Sequence, residues 1–136
     1  MLAMLTRELQ IETRGRELVD LTPDVRAMAA DGGDGLLNVF VPHATAGLAI
    51  LELNDGSEPD LAELLERLLP KDRPYNHDHG SAGHGADHLL PTLLSPSLVV
   101  PVADGQPLLG TWQYVVLVDR NPDNPIRRVR LSFIGS

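Results

Sequence analysis

Apolar and polar residues nearly alternate near the start of the chain. In Leu5-Thr6-Arg7-Glu8-Leu9-Gln10-Ile11, residues Leu5, Leu9 and Ile11 share one face, the pattern of a half-buried strand. Gly15 interrupts it, and Glu17 to Leu21 resumes as a short extended piece. Thr22-Pro23-Asp24 reads as a helix start, with Thr22 as N-cap and proline at the first helical position. Val25, Met28 and Ala29 give that helix one apolar stripe, and Gly32-Gly33 stops it. Leu36 to Val41, closed by Pro42, and Gly47 to Leu53, apolar except for Glu52, are two further predicted strands. His43 falls at or near the turn between them.

The clearest helix opens at Ser57-Glu58-Pro59-Asp60, where Ser57 can cap and the acids suit the positive end of the helix dipole. Leu61, Leu64, Leu65 and Leu68 follow at helical spacing and predict a core-facing stripe ended by Pro70. Lys71 to Gly85 is polar and glycine-rich, a loop; Asp87 to Leu94 predicts a short helix with Pro91 inside it or at its start. Ser97 to Val102 is a strand, Asp104-Gly105 a turn, and Thr111 to Val118 another strand carrying Trp112 and Gln113. After the loop Asn121-Pro122-Asp123-Asn124-Pro125, Arg128 to Ile134 alternates cleanly, Val129, Leu131 and Phe133 one way, Arg128, Arg130 and Ser132 the other. Six or seven strands with two or three helices, in runs rather than strict alternation, predict one α+β domain with a largely antiparallel sheet.

Composition narrows the function. The 136 residues carry a formal net charge of −8, which argues against a broad nucleic-acid surface, because such a surface needs many cations. Aromatics are only 4% of the chain, so Leu, Val, Ile and Ala must build the core. There is no cysteine, which removes disulfides, thiolate metal sites and cysteine nucleophiles together. No apolar run approaches the ~20 residues of a membrane span, and the start lacks a signal peptide's layout; the expectation is a cytoplasmic protein with no membrane partner.

The chemistry-bearing residues are concentrated. Of five histidines, His77, His79, His84 and His88 crowd one polar stretch, and His43 follows an apolar strand. Imidazole suits both metal binding and proton transfer near neutral pH. On a helical turn the rings of His84 and His88 would share a face, with His43 able to join from the strand end and His77 from the loop. His79, between Asp78 and Gly80, reads as the dispensable member. Glu52, the lone charge in an apolar run, is either a general base or ligand, or an outward-facing strand residue. Trp112 beside Gln113 suits either an aromatic wall for a flat ligand or a place in the core. Arg127, Arg128 and Arg130 could meet a phosphate, though a solvated strand face is the simpler reading. No phosphate-binding glycine loop or nucleophile elbow is present.

Several of these segments, taken in order, resemble the YjbQ family, also labelled secondary thiamine-phosphate synthase enzymes. The matching residues are His43-Ala44-Thr45-Ala46-Gly47 with Glu52, Leu69-Pro70, Tyr75-Asn76-His77, His88-Leu89 and Leu93-Leu94. They continue through Ser97-Leu98-Val99-Val100-Pro101-Val102, Asp104-Gly105, Leu109-Gly110-Thr111-Trp112-Gln113 and Arg127-Arg128-Val129-Arg130. The resemblance implies a compact α+β domain, a homotrimer, and a polar histidine cleft near the subunit contacts, thought to be the active or metal site. Carried over by position, it points to His43, Glu52, His77, His88, Trp112 and Gln113, with a weaker claim for His84. Leu51-Glu52-Leu53, His43-Ala44-Thr45-Ala46 and Ser95-Pro96 depart from the common pattern and suggest a subgroup whose substrate differs. The leading expectation is a metal-dependent enzyme acting on a small, phosphorylated or similar metabolite, with weak thiamine-phosphate synthase-like activity implied by the resemblance. Its divalent ion, zinc by preference, is held by His43, His77, His88 and His84; Glu52 and His43 are catalytic, and Trp112 and Gln113 bind substrate. The alternatives are a non-catalytic metal- or metabolite-binding protein and a metal-independent acid–base site on His43 and Glu52.

Overall fold

The computed structural model describes residues 2–136. In chain order the elements are β1 (Ala3–Glu12), β2 (Leu18–Asp20), α1 (Thr22–Ala30), β3 (Gly35–Phe40), β4 (Ala46–Leu51) and α2 (Ser57–Leu68). They are followed by α3 (His84–Asp87), α4 (Leu90–Leu93), β5 (Ser97–Ala103), β6 (Gln106–Pro107), β7 (Tyr114–Asp119) and β8 (Ile126–Gly135).

The strands form two antiparallel sheets, ordered β1-β8-β3-β5-β6 and β2-β7-β4. The alternation read in the last strand sets the first sheet: β8 buries Val129, Leu131 and Phe133 against the second sheet and leaves Arg128, Arg130 and Ile134 exposed. The apolar run of β7 has no polar face because it has two covers. Val115 and Leu117 face the first sheet, while Val116 and Val118 face the helices α2, α3 and α4. The result is three layers, sheet on sheet on helices, with Leu21, Val25, Met28 and Ala29 of the α1 region filling the inter-sheet core.

Several expectations are corrected locally. Thr22 does not cap α1: its hydroxyl accepts from Val115 N–H at 2.9 Å, and Asp20 accepts from Thr22 N–H at 2.9 Å instead. Only part of the α2 stripe is core. Leu65 is buried and Leu61 half-buried, whereas Leu64 and Leu68 are 51% and 56% exposed, because α2 rests on the sheet along its Leu61, Leu65, Leu69 row. The helix expected from Asp87 to Leu94 is two short ones, with Pro91 in the first turn of the second, where it interrupts no helical bond. β4 stops at Leu51, so Glu52 lies past the strand, and β7 begins at Tyr114, so Trp112 and Gln113 sit in the preceding turn. The single loop between β7 and β8 carries Asn121 and Asp123 against the histidine loop. Among the described residues, no helix is long and apolar enough to cross a membrane.

Candidate metal centre

The histidine loop is held by close packing rather than by regular hydrogen bonding. Gly83 has φ +75° and lies so near Lys71 that a Cβ would come within 2.3 Å of Lys71 Cβ. Gly85 lies under the loop, where a Cβ would meet Tyr75 Cβ at 2.5 Å and the His77 carbonyl at 2.6 Å. Only glycine permits the first conformation and the second approach. Tyr75 donates its hydroxyl to the Pro70 carbonyl at 2.7 Å, pinning the loop to the end of α2.

This packing gathers four rings. The His77 centroid lies 4.1 Å from that of His79, 4.3 Å from His88 and 5.2 Å from His84, the last pair stacked at 18°. His84 and His88, at either end of α3, approach to 2.8 Å between their Nε2 atoms. One ring nitrogen each from His77, His79 and His84 lies within 4.8 Å of the others. A tetrahedral zinc site with Zn–N bonds of about 2.0–2.1 Å sets its nitrogens a little over ~3 Å apart. The donor set is chemically right for such an ion, and the rings would have to draw closer together to hold one. His77 and His79 are exposed and His84 and His88 half-buried, so the centre opens to solvent on the loop side, where a cleft of about 180 Å³ is lined by His77, His79 and His84.

Electrostatics keep these rings available as ligands. Desolvation first, then the neighbouring imidazoles His79 and His84, holds His77 below the ordinary histidine range. Desolvation, with His77, His84 and His79, does the same to His88, opposed by Asp87. Neutral imidazole is the form that binds metal.

Behind the rings stands a buried polar network. Asn121 donates to Asp87 Oδ2 at 3.0 Å, and its Nδ2 lies 2.9 Å from His84 Nδ1. Asp123 Oδ2 is also 2.9 Å from that nitrogen and accepts from Ser81 N–H and Oγ–H, each at 3.1 Å. Ser81 N–H most of all, against a smaller desolvation effect, holds the Asp123 carboxyl below the ordinary aspartate range. Asp87 is buried and its Oδ1 accepts no hydrogen bond; the Lys71 ammonium stands 3.3 Å away, compensating its charge. Asp119 accepts from Asn121 N–H at 2.9 Å and pairs with Arg127. Burial pushes the Asp119 carboxyl up, while the Asn121 N–H and Arg127 pull it back.

His43 stands apart from the four rings. Its Nε2 accepts from Arg128 N–H at 2.9 Å, and its Nδ1 lies 3.4 Å from an Arg127 guanidinium nitrogen. Burial, with Arg127 and Arg128 beside it, keeps it below the ordinary histidine range. A neutral ring with Nε2 occupied carries its proton on Nδ1, so His43 as placed has no lone pair for a metal. Arg127, packed beside that ring, pairs with Asp119, which accepts from Asn121 N–H, and Asn121 in turn lies against His84.

Glu52, Trp112 and Gln113 are not brought to the histidines within one chain. In the β4–β7 pair Ala46 is opposite Asp119 and Leu51 is opposite Tyr114. Asp119 leads to the histidine side, while Glu52 and Gln113 continue past the other end, about 17 Å away along the strands at roughly 3.3 Å per residue. Glu52 is half-buried, Trp112 is 68% exposed rather than core, and Gln113 Oε1 accepts from Gly110 N–H at 2.8 Å, closing its own turn. Gln113 also lines a separate cleft of about 360 Å³ with Asp20, Thr22, Arg26 and Tyr114. Arg128 and Arg130 face solvent; Arg127 is buried. His79 was expected to be dispensable, and Asn121 and Asp123 were expected to be no more than loop residues. One residue separates His79 from His77, a spacing that lets two loop rings reach one centre, but nothing local marked the Asn121–Asp123 loop as more than a turn.

Residues 7–136 match the profile of a family described as UPF0047 protein YjbQ-like. UPF0047 protein Rv2556c of Mycobacterium tuberculosis is 61% identical over 131 residues, covering 96% of this chain and 98% of its own length. UPF0047 protein YugU of Bacillus subtilis is 32% identical, covering 80% of this chain and 84% of its own. A crystal structure of a YbjQ-like protein of unknown function from Sulfolobus solfataricus superposes with a TM-score of 0.92 at 25% identity, covering 100% of both chains. A hypothetical protein from Aeropyrum pernix gives 0.84 at 32% identity, over 97% of this chain and 99% of its own.

Proposed function

The chain belongs to the YjbQ-like UPF0047 family, and from that premise we propose that it is a metal-dependent enzyme of small-molecule metabolism whose ion, zinc by preference, is held by His77, His84 and His88 with His79. The observation that carries the reading is the pair of Nε2 atoms 2.8 Å apart inside a group of four imidazoles. At that distance the two neutral rings share an N–H···N hydrogen bond, and loss of its proton with a slight opening of the pair would leave both Nε2 atoms facing one ion. His77 and His88 are held below the ordinary histidine range, so they stay in the neutral form that a metal ion binds. A bound divalent ion would supply a nucleophilic water near neutral pH or offset charge on a phosphorylated substrate. The thiamine-phosphate label of the resemblance makes phosphate-bearing substrates the first class to assay.

In this reading Glu52 is a general base or outer-shell group, and Trp112 and Gln113 line the substrate site. One chain holds them at the far end of the second sheet, so they can serve the histidine centre only if another copy supplies them. That part of the reading therefore depends on the homotrimer. His43 takes a proton-handling or positioning part in place of ligation. No nucleic-acid or membrane partner is required.

The test is the metal content of the purified, zinc-loaded protein, alone and as His84→Ala and His88→Ala. About one ion per chain in wild type, lost in both variants, is the expected result. Wild type without stoichiometric metal, or variants with an undiminished load, sinks the metal assignment. A second reading, storage or sensing of metal, is favoured by the presence of a fourth imidazole able to close the sphere. X-ray absorption separates the two: four protein nitrogens and no water indicate storage or sensing, three and a water an enzyme.

A further inference from the structure

His84 Nδ1 has a donor and an acceptor competing for it. Asn121 cannot exchange the ends of its amide, because its Oδ1 accepts from Asp123 N–H at 2.9 Å while its Nδ2 donates to Asp87 Oδ2 at 3.0 Å. The remaining Nδ2 hydrogen is therefore available to His84 Nδ1, 2.9 Å away; its other outlet, Asp123 Oδ2, is at 3.5 Å. Asp123 Oδ2, an acceptor, stands 2.9 Å from the same ring nitrogen. A neutral imidazole satisfies one of these neighbours and not both. With Nδ1 bare, Asn121 is satisfied, and the proton on Nε2 is donated to His88 Nε2 at 2.8 Å. With Nδ1 protonated, Asp123 is satisfied and Nε2 is bare. Each tautomer leaves one like-to-like contact at Nδ1, with Asp123 Oδ2 in the first and with the Asn121 amide in the second.

We propose that Asn121 and Asp123 act as a tautomer selector for His84, with Asn121 holding the Nε2–H form when no ion is present and Asp123 holding the Nδ1–H form that frees Nε2 for the ion. The inference rests on the metal reading above and goes beyond it, since it assigns positioning roles to two residues outside the ligand set. In the exchange one proton leaves Nε2 for water and one from water binds Nδ1, so the ring stays neutral and no net proton is released. Geometry supplies the pieces: the carboxylate is anchored by Ser81, and the amide by Asp87 and the Asp123 backbone. A carboxylate behind a ligating histidine fixes its ring and raises its basicity, and losing it typically costs 10–100-fold in metal affinity.

The experiment is nitrogen-detected NMR of the histidine rings in the full chain at pH 8, metal-free and with added zinc. The metal-free His84 ring is expected to populate the Nε2–H form, and the zinc-loaded ring only the Nδ1–H form. Asp123→Ala should weaken zinc binding about 10–100-fold, and Asp123→Asn, whose amide oxygen can still accept, should recover part of it. Asn121→Ala should shift the metal-free ring to the Nδ1–H form. Should zinc bind at His84 while the ring is wholly Nδ1–H both with and without it, the selector is overturned and the metal centre stands. Absence of any zinc-dependent change at these four rings overturns the metal reading and the selector together.

Discussion

Arg127 and Asp119 form the contact whose loss the molecule would feel most. Their side chains are 5% and 1% exposed, and Arg127 also donates to Thr45 Oγ1 at 3.1 Å. Removing one partner strands the other charge in the interior, which typically costs about 3–5 kcal/mol. Arg127→Ala is expected to lower stability by about that amount in urea denaturation, whereas Arg130→Ala on the exposed face of β8 should change it by less than about 0.5 kcal/mol. A solvated face was the expectation for Arg127, as for Arg128 and Arg130, but the alternation of β8 carried back one position sets it inward with Val129, Leu131 and Phe133. The identity of its partner was not legible, because Asp119 comes from another strand. A second residue-scale prediction concerns acid. His77 and His88 have folded pKa values below the ordinary 6.5, so below that pH the unfolded chain takes protons that the folded chain resists. The stability these neutral rings contribute is fully present above about pH 6.5 and is lost as pH falls through the lowered folded values. Calorimetric melting temperatures should be level from pH 8 to 7 and then fall; replacing both rings by glutamine should flatten that fall.

Among the elements, α3 is decisive although it has only four residues. It places His84 and His88 on one face, and its Gly85 lets the His77 carbonyl and Tyr75 lie directly on the helix. Gly85→Ala is expected to push the His77 segment away and weaken zinc binding at least about 10-fold, with the far-ultraviolet circular dichroism of the sheets unchanged. A variant that binds zinc as wild type would show that the loop does not depend on this contact. The spacing of His84 and His88 was readable in the sequence because helical neighbours are set by local geometry. His77 was expected to join from the loop, but the arrival of His79 was not readable, because it depends on how the loop folds back. The same limit explains α2. Its apolar stripe is plain in the sequence, but which row faces the sheet was fixed by the sheet's position, and Leu64 and Leu68 were left outside.

At the scale of the whole molecule, none of the described residues covers the outer face of the first sheet. Strand register sets Met4, Ile134, Leu36 and Pro101 side by side across four strands, and the first three are 62%, 44% and 52% exposed. Contiguous apolar surface of this kind marks an interaction face more often than scattered exposed residues do. If copies of the chain associate through it as the proposed homotrimer, light scattering should give three times the chain mass, and Leu36→Arg with Ile134→Arg should reduce it to one. A wild-type chain already at the monomer mass removes the assembly from the reading. The sequence by itself determined the α+β class, the inward and outward faces of β8 and the histidine-rich character of the centre, because periodicity and composition act between near neighbours in the chain. Only the tertiary structure decided which groups meet. It joined His79 to the centre, set Asn121 and Asp123 behind His84, tied His43 to Arg127 and Arg128, and carried Glu52, Trp112 and Gln113 to the other end of the sheet. Those pairings follow from strand register and loop packing between distant segments, and no local pattern in a single chain encodes them.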